Sequence, residues 1–151
     1  MAHMQIGAVK LECPVVLAPM AGIADLPFRL LCRELGGVGL AGSELLNARA
    51  IVRGIPAICS KAMPPPEDSP LSTQIYGSLE DPLPQAAAWA VENGAHIIDI
   101  NMGCPIDKVC KKNGGSLLMK TPEKTATLAK QIIDACDCVP VTAKVRLGWG
   151  E

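Results

Sequence analysis

The 151-residue chain has a formal net charge of −1, is 49% hydrophobic and is only 19% charged. That is too apolar for a disordered chain, and not basic enough to grip nucleic acid with its whole surface. No apolar run approaches the ~20 residues of a membrane span, and the odd count of 7 cysteines, none spaced C-x-x-C, argues against a disulfide framework or a zinc site and for a reducing cytosol.

The opening stretch, MAHM, lacks the basic-then-apolar layout of a signal peptide. It reads as an expression-tag remnant, residues 1–4, which leaves 5–151 for the fold. The first apolar run, 15–18, is a predicted strand ending at Pro19-Met20-Ala21-Gly22. Asp25 can cap a helix with Pro27 in its first turn, running to residue 35 and stopped by Gly36 and Gly37. A second strand, 38–41, ends at Gly42-Ser43-Glu44 and leads into a helix over 45–53. Pro64, Pro65 and Pro66 exclude a regular element around them, so 55–70 is a predicted surface loop.

The third run, 71–76, carries Gln74 inside it, and Asp81-Pro82 then opens an alanine-rich helix closed by Gly94. In the fourth run Ile97, Ile98 and Ile100 are broken only by Asp99, the pattern of a strand buried on both faces. It stops at Asn101, Gly103 and Pro105, and the short loop they make holds one thiol, Cys104. Thr121-Pro122 opens another helix reaching about residue 135, and a fifth run, 139–147, has Lys144 and Arg146 near its end.

Strand and helix alternating in this way indicate parallel βα units, in an open doubly wound sheet or a (β/α)8 barrel. The turn after the first strand reads PMAGIAD, not the G-x-G-x-x-G of a nucleotide-binding open sheet. A barrel predicts polar residues at the carboxyl end of every strand, because those ends face one site. Met20, Ser43, Gln74, Asn101 with Cys104, and Lys144 with Arg146 fit that rule. The expected fold is therefore a TIM barrel represented by its first four βα units and its fifth strand. A whole barrel needs roughly 250 residues, so the last strand is expected to present an open edge.

With these residues in hand, the chain resembles the tRNA-dihydrouridine synthases, most of all their bacterial B-type branch. The resemblance runs through LAPMAGIADLPFR (17–29), QIYG (74–77), DINMGCPIDKV (99–109), NGGSLLMKTPE (113–123) and TAKVRLGW (142–149). It implies reduction of a uracil base in transfer RNA (tRNA) by flavin mononucleotide (FMN), itself reduced by NADPH. It also implies a barrel followed by a helical RNA-binding domain. The segment that holds the flavin phosphate, a flavin-site histidine and the helical domain are expected beyond Glu151.

The resemblance assigns roles residue by residue. Reducing the C5=C6 bond needs a hydride at C6 and a proton at C5 from the opposite face. The Cys104 thiol suits the second role, since a thiol with an ordinary pKa near ~8.5 is mostly protonated at neutral pH. The usual alternative, a small buried hydrophobe, fits Cys13, Cys32, Cys59, Cys136 and Cys138, and Cys110 also reads as structural. Lys144 and Arg146, two apart on one strand, point to the same side. Lys144 would lie under the flavin ring near N1 and C2=O, or else form a buried salt bridge with Asp99. Arg146 is expected to meet substrate.

Gln74 offers the donor and acceptor that the flavin pyrimidine edge requires, or is a satisfied polar residue in the barrel mouth. Pro19, Met20 and Ala21 should pass close to the flavin ring, with a core methionine as the alternative. Asn101 would read the uracil edge or brace the Cys104 loop. Lys108, Lys111, Lys112, Lys120 and Lys124 make a patch suited to RNA phosphates or simply to solvent. His96 and Trp89 read as structural.

Two other functions remain open on the residues alone. One is a flavin barrel acting on a free pyrimidine, such as a dihydroorotate dehydrogenase. The other is a non-catalytic half-barrel that self-associates through its open edge.

Overall fold

An antiparallel hairpin, β1 (Met4–Ile6) and β2 (Val9–Leu11), opens the computed structural model, which describes residues 4–110 and 113–148. The hairpin is absent from the predicted elements and takes in Met4, assigned above to the opening tag stretch. It turns at Gly7, whose φ of 56° is a conformation glycine adopts without strain. Ile6 and Val9 pack against Leu11, Leu40 and Ile97, so the hairpin closes the amino-terminal end of the main sheet.

That sheet holds β3 (Val16–Leu17), β4 (Leu40–Gly42), β5 (Leu46–Asn47), β6 (Leu71–Tyr76), β7 (Ile97–Met102) and β8 (Val141–Val145). Every pairing is parallel, in the order β3-β4-β6-β7-β8, with β5 paired beside the far half of β6. The sheet curls into half of a (β/α)8 barrel, the expected fold. Its helices are α1 (Leu26–Leu35), α2 (Ala48–Val52), α3 (Pro56–Ala62), α4 (Leu83–Glu92), α5 (Asp107–Cys110) and α6 (Pro122–Ala135).

The period of two in β6 and β7 divides mostly apolar from mostly polar, with Thr73 on the outward side beside Ile98 and Ile97 on the inward side beside Ser72. Ile75, Ile98, Ile100 and Met102 face outward into a core completed by Leu83, Ala86, Ala87 and Ala90 of α4 and Leu128 and Ile132 of α6. Each of the larger side chains contributes about 1.5–3 kcal/mol on burial, and the alanines let α4 lie close to the sheet. The alternate positions, Ser72, Gln74, Asp99, Asn101, Thr142 and Lys144, therefore line the inner face. Trp89 packs against the outer core, as expected.

Two predicted segments differ. Residues 45–53 begin not as helix but as β5, with α2 starting only at Ala48 under an Asn47 cap that accepts the Ala50 amide. Between β4 and β5 the chain spends one residue more than β6 does, since Gly42 pairs with Ser72 and Leu46 with Ile75. This is a bulge, and Ser43 fills it: its amide donates to Ser72 O and its hydroxyl accepts the Gln74 amide, both at 2.9 Å.

The predicted loop 55–70 contains α3 and a 3-10 turn at Pro66–Asp68. Pro56 starts α3 and Pro66 starts the turn, positions where a missing N–H costs nothing. Asp68 is fully buried, clamped by Arg29 (Nη2, 2.7 Å) and Arg33 (Nε, 3.0 Å) of α1. The helix expected to open at Asp81 starts at Leu83 instead. The Asp81 carboxylate accepts the Ser78 amide (2.7 Å) and pairs with Arg49, so it ties the β6–α4 turn rather than capping the helix.

Candidate active site

Parallel strands bring their carboxyl ends to one side, and the inner face there is polar. Gln74 of β6 and Asp99 and Asn101 of β7 are buried side by side. Gln74 Nε2 donates to Asp99 Oδ2, and Thr142 Oγ1 donates to Asp99 Oδ1 (2.7 Å). Asn101 Nδ2 donates to Gln74 Oε1 (3.0 Å). Asn101 Oδ1 then accepts the amides of Cys104 (3.0 Å) and Gly103 (3.4 Å). A single hydrogen-bonded chain thus runs from β8 through β7 and β6 to the thiol loop.

The loop is held from other sides as well. Arg146 Nε donates to Gly103 O (2.7 Å) and the Ser116 amide donates to Cys104 O (3.0 Å). Gly114 and Gly115 make that approach possible. A Cβ on Gly114 would sit 2.5 Å from Gly77 O, and one on Gly115 would sit 2.6 Å from Cys104 O. Gly115 also has a φ of 59°. Cys110 Sγ lies 3.4 Å from Cys104 O and 3.6 Å from Ser116 Oγ, so Cys110 packs behind the loop. Cys104 itself is half-buried.

Across the sheet, the turn after β3 is fixed through its main chain. Met20 O accepts the amides of Ile23 (3.1 Å) and Ala24 (2.8 Å), and Gly22 N donates to Glu44 Oε1 (2.7 Å). The bond from Lys61 and that from Gly22 hold the Glu44 carboxyl below its ordinary range against the opposing effect of burial. Pro19 stands against Gly42, where a Cβ would meet the proline ring nitrogen at 2.9 Å. Met20 is half-buried and Ala21 is exposed.

Between this turn and β8 the inner face encloses a cavity of about 350 Å³, lined by Ala18, Pro19, Gly42, Asp99, Thr142 and Lys144 among others. Its walls are mainly apolar, with Lys144 as the cation. No ion pair joins Lys144 to Asp99 among the described residues. The salt bridge weighed for that lysine is replaced by the Gln74 and Thr142 contacts of Asp99.

The structure brings Gln74, Asn101, Cys104 and Arg146 into one connected network and puts Pro19 and Lys144 on one cavity. Gln74 is fully buried with both ends of its amide occupied by protein. Of the lysine patch, Lys120 and Lys124 are exposed beside a second cavity of about 400 Å³ at the start of α6. Lys111, Lys112 and Trp149 lie outside the described residues, as does the side chain of Lys108. Burial pushes the Cys136 thiol up to about 11, in keeping with a structural role. His96 sits at the opposite end of the sheet, its Nδ1 accepting the Leu71 amide (3.3 Å) and its Nε2 within 3.1 Å of Ser69 Oγ.

Some of the network was missed as connections. Ser43 reads only as a polar strand end, and Thr142 and Ser116 lie in the stretches that carry the resemblance without a role assigned to them. The Gly114-Gly115 doublet was the available signal, because adjacent glycines after a thiol loop announce a close backbone approach.

A half (β/α)8 barrel carries a thiol loop at the carboxyl end of β7 and a lysine on the next strand, β8. The family model described as Dihydrouridine synthase (Dus) matches residues 16–151. The chain belongs to the dihydrouridine synthase family. It is 44% identical to the tRNA-dihydrouridine synthase B of Xanthomonas campestris, over 97% of this chain and 43% of that protein. Against the tRNA-dihydrouridine synthase B of Vibrio vulnificus the identity is 43%, over 97% of this chain and 45% of the relative. Against the probable tRNA-dihydrouridine synthase 1 of Synechocystis it is 37%, over 98% and 41%. The chain thus spans less than half the length of the curated relatives it matches.

Proposed function

We propose that this chain supplies the reducing site of an enzyme that converts uridine to 5,6-dihydrouridine in tRNA, in the cytoplasm. The observation that carries the reading is a shared inner face. A half-buried Cys104 on a tightly braced loop follows β7, and Asp99 of the network that braces it also lines a cavity with apolar walls and one lysine. The names of the relatives point to the substrate.

The cavity suits FMN. At about 350 Å³ it is within the size range of cofactor sites. The absence of a Cβ at Gly42 lets Pro19 close one wall, and Lys144 offers a cation to the electron-rich edge of a flavin ring. Pro19, Met20 and Ala21 would flank the ring, and Lys144 would bind its N1 and C2=O edge. Gln74 would contribute through the polar network behind it. When bound, FMN supplies the hydride for C6 of the uracil and is restored by NADPH.

The chain's own residues do the rest. Cys104 delivers a proton from its Sγ to C5 on the opposite face of the base. Asn101 and Arg146 hold the Gly103–Cys104 peptide in place, and Arg146, exposed at the rim, also meets the RNA. The apolar cavity walls exclude water around the reacting bond.

The experiment is Cys104→Ala in the full chain as the cell makes it, assayed by mass spectrometry of tRNA dihydrouridine with NADPH. The expected result is a loss of about 100-fold or more in rate with FMN still bound. An unchanged rate excludes the role. A second reading, self-association through the edge strands, rests on the exposure of Val16 on β3 and Val145 on β8. A single monomeric species in analytical ultracentrifugation at micromolar concentration counts against it.

A further inference from the structure

We infer that Asp99 is a positioning residue for the Cys104 loop, acting as a hydrogen-bond acceptor through two amide side chains and touching neither substrate nor thiol. The inference rests on the reading of Cys104 given above.

The logic is one of donors and acceptors. A carboxylate accepts and does not donate, whereas an amide side chain has one end of each kind. Asp99 therefore admits only the NH₂ end of Gln74, and Nε2 is the atom found against it. That choice turns Gln74 Oε1 toward Asn101, which must answer with its own NH₂. Asn101 is then left with Oδ1 facing the loop, where the backbone amides of Gly103 and Cys104 both donate to it. Reversing either amide would oppose two donors or two acceptors at a buried junction and leave both groups unsatisfied.

Asp99 is itself oriented. Its second oxygen accepts from Thr142 Oγ1 on β8, so the chain of orientations begins on the strand that also carries Lys144 and that ends one residue before Arg146. Arg146 closes the circuit at Gly103 O. The loop is thus located by two neighbouring strands at once, one through its N–H groups and one through a carbonyl. Asp99 and Gln74 are at most 8% exposed, so their junction is largely buried.

The test is hydrogen–deuterium exchange resolved to single amides in the full chain, which reads loop anchoring without reference to turnover. Asp99→Leu removes the acceptor, and the Cys104 amide is expected to exchange about tenfold faster or more, while Ile98, which donates to Pro140 O, keeps its protection. Asp99→Asn still presents an oxygen to Gln74, and the Cys104 amide is expected to stay within about threefold of the parent. Unchanged exchange in Asp99→Leu overturns the proposal. So does an Asp99→Asn variant that behaves like Asp99→Leu, because the charge rather than the acceptor would then matter. If Asp99→Leu does not fold, Gln74→Met cuts the same chain one link further on. It must show the same rise at Cys104, and no rise overturns the proposal. Failure of the Cys104→Ala test would remove the proton-donor role and leave this exchange result standing.

Discussion

Gly115→Ala isolates what the glycine doublet does for the thiol loop. Gly115 has φ 59°, and a Cβ there would lie 2.6 Å from Cys104 O and 3.0 Å from Val109 Cγ1. Alanine in the left-handed region costs about 1–2 kcal/mol, and forcing a methyl against a fixed carbonyl adds about 1–3 kcal/mol. Gly54 supplies the control for strain alone, since its φ is 66° and its Cβ would meet nothing within 4 Å. Gly114 supplies the control for collision, with no positive φ but a Cβ 2.5 Å from Gly77 O. The gain from restricting the unfolded chain is common to all three substitutions and cancels in the comparison. Urea unfolding is therefore expected to rank Gly115→Ala as most destabilising, at about 2–5 kcal/mol, with Gly54→Ala nearer 1–2 kcal/mol. If Gly115→Ala and Gly54→Ala agree within about 0.5 kcal/mol, the loop yields to the methyl and the close-packing argument is wrong.

The buried Asp68 answers two arginines, so Asp68→Leu is expected to cost about 3–5 kcal/mol in urea unfolding. Adding Arg29→Met should recover part of that loss, and strict additivity of the two changes would refute the pairing. Burial first, and then the nearby Arg33 charge, holds the His96 pKa below its ordinary 6.5, against a smaller upward pull from Asp68. The folded state therefore binds fewer protons than the unfolded chain near that value. The His96 contribution is complete above pH 6.5 and falls away as the pH drops below it. His96→Asn, which keeps an acceptor for the Leu71 amide, should flatten the fall in urea midpoint between pH 7.5 and 5, read as a difference from the parent. An identical slope in the two proteins would contradict the assignment.

How much of this was legible follows from the range of the forces involved. The apolar runs at β6 and β7 were plain because burial on both faces leaves a contiguous signature. The Asp25 cap was plain because capping is local, and Asp25 Oδ1 does accept the Phe28 amide. The bulge at Ser43 was not, because it exists only relative to β6, some 30 residues on, and a one-residue surplus has no trace in either strand alone. Asp81 misled for a related reason. It precedes a proline as a cap should, but burial pushes its carboxyl up while the Ser78 amide and the Arg49 guanidinium outweigh that and hold it below the ordinary range. It serves the preceding turn. The triple proline was read as forbidding structure, whereas prolines at first helical positions start it.

The site itself was legible as residue types and not as connections. Asn101 had two readings, reading the uracil edge or bracing the loop, and its contacts show the bracing: both of its amide ends are bound to protein. Gln74 is bound at both ends too, and so is held in one orientation. That arrangement is a consequence of where the fold keeps its hydrophobic core. Ile75, Ile98, Ile100 and Met102 pack outward against α4 and α6. The inner face is thereby released from the work of holding the sheet together, and a run of polar side chains can occupy it at little cost provided each finds a partner. Gln74, Asp99, Asn101 and Thr142 find partners in each other and in nearby main-chain groups. A buried polar network with one consistent assignment of donors is rigid. Here its free end is a pair of backbone amides at the thiol. The rigidity that stabilises the inner face is the same rigidity that locates Cys104, so substitutions along the network should move the loop before they unfold the chain.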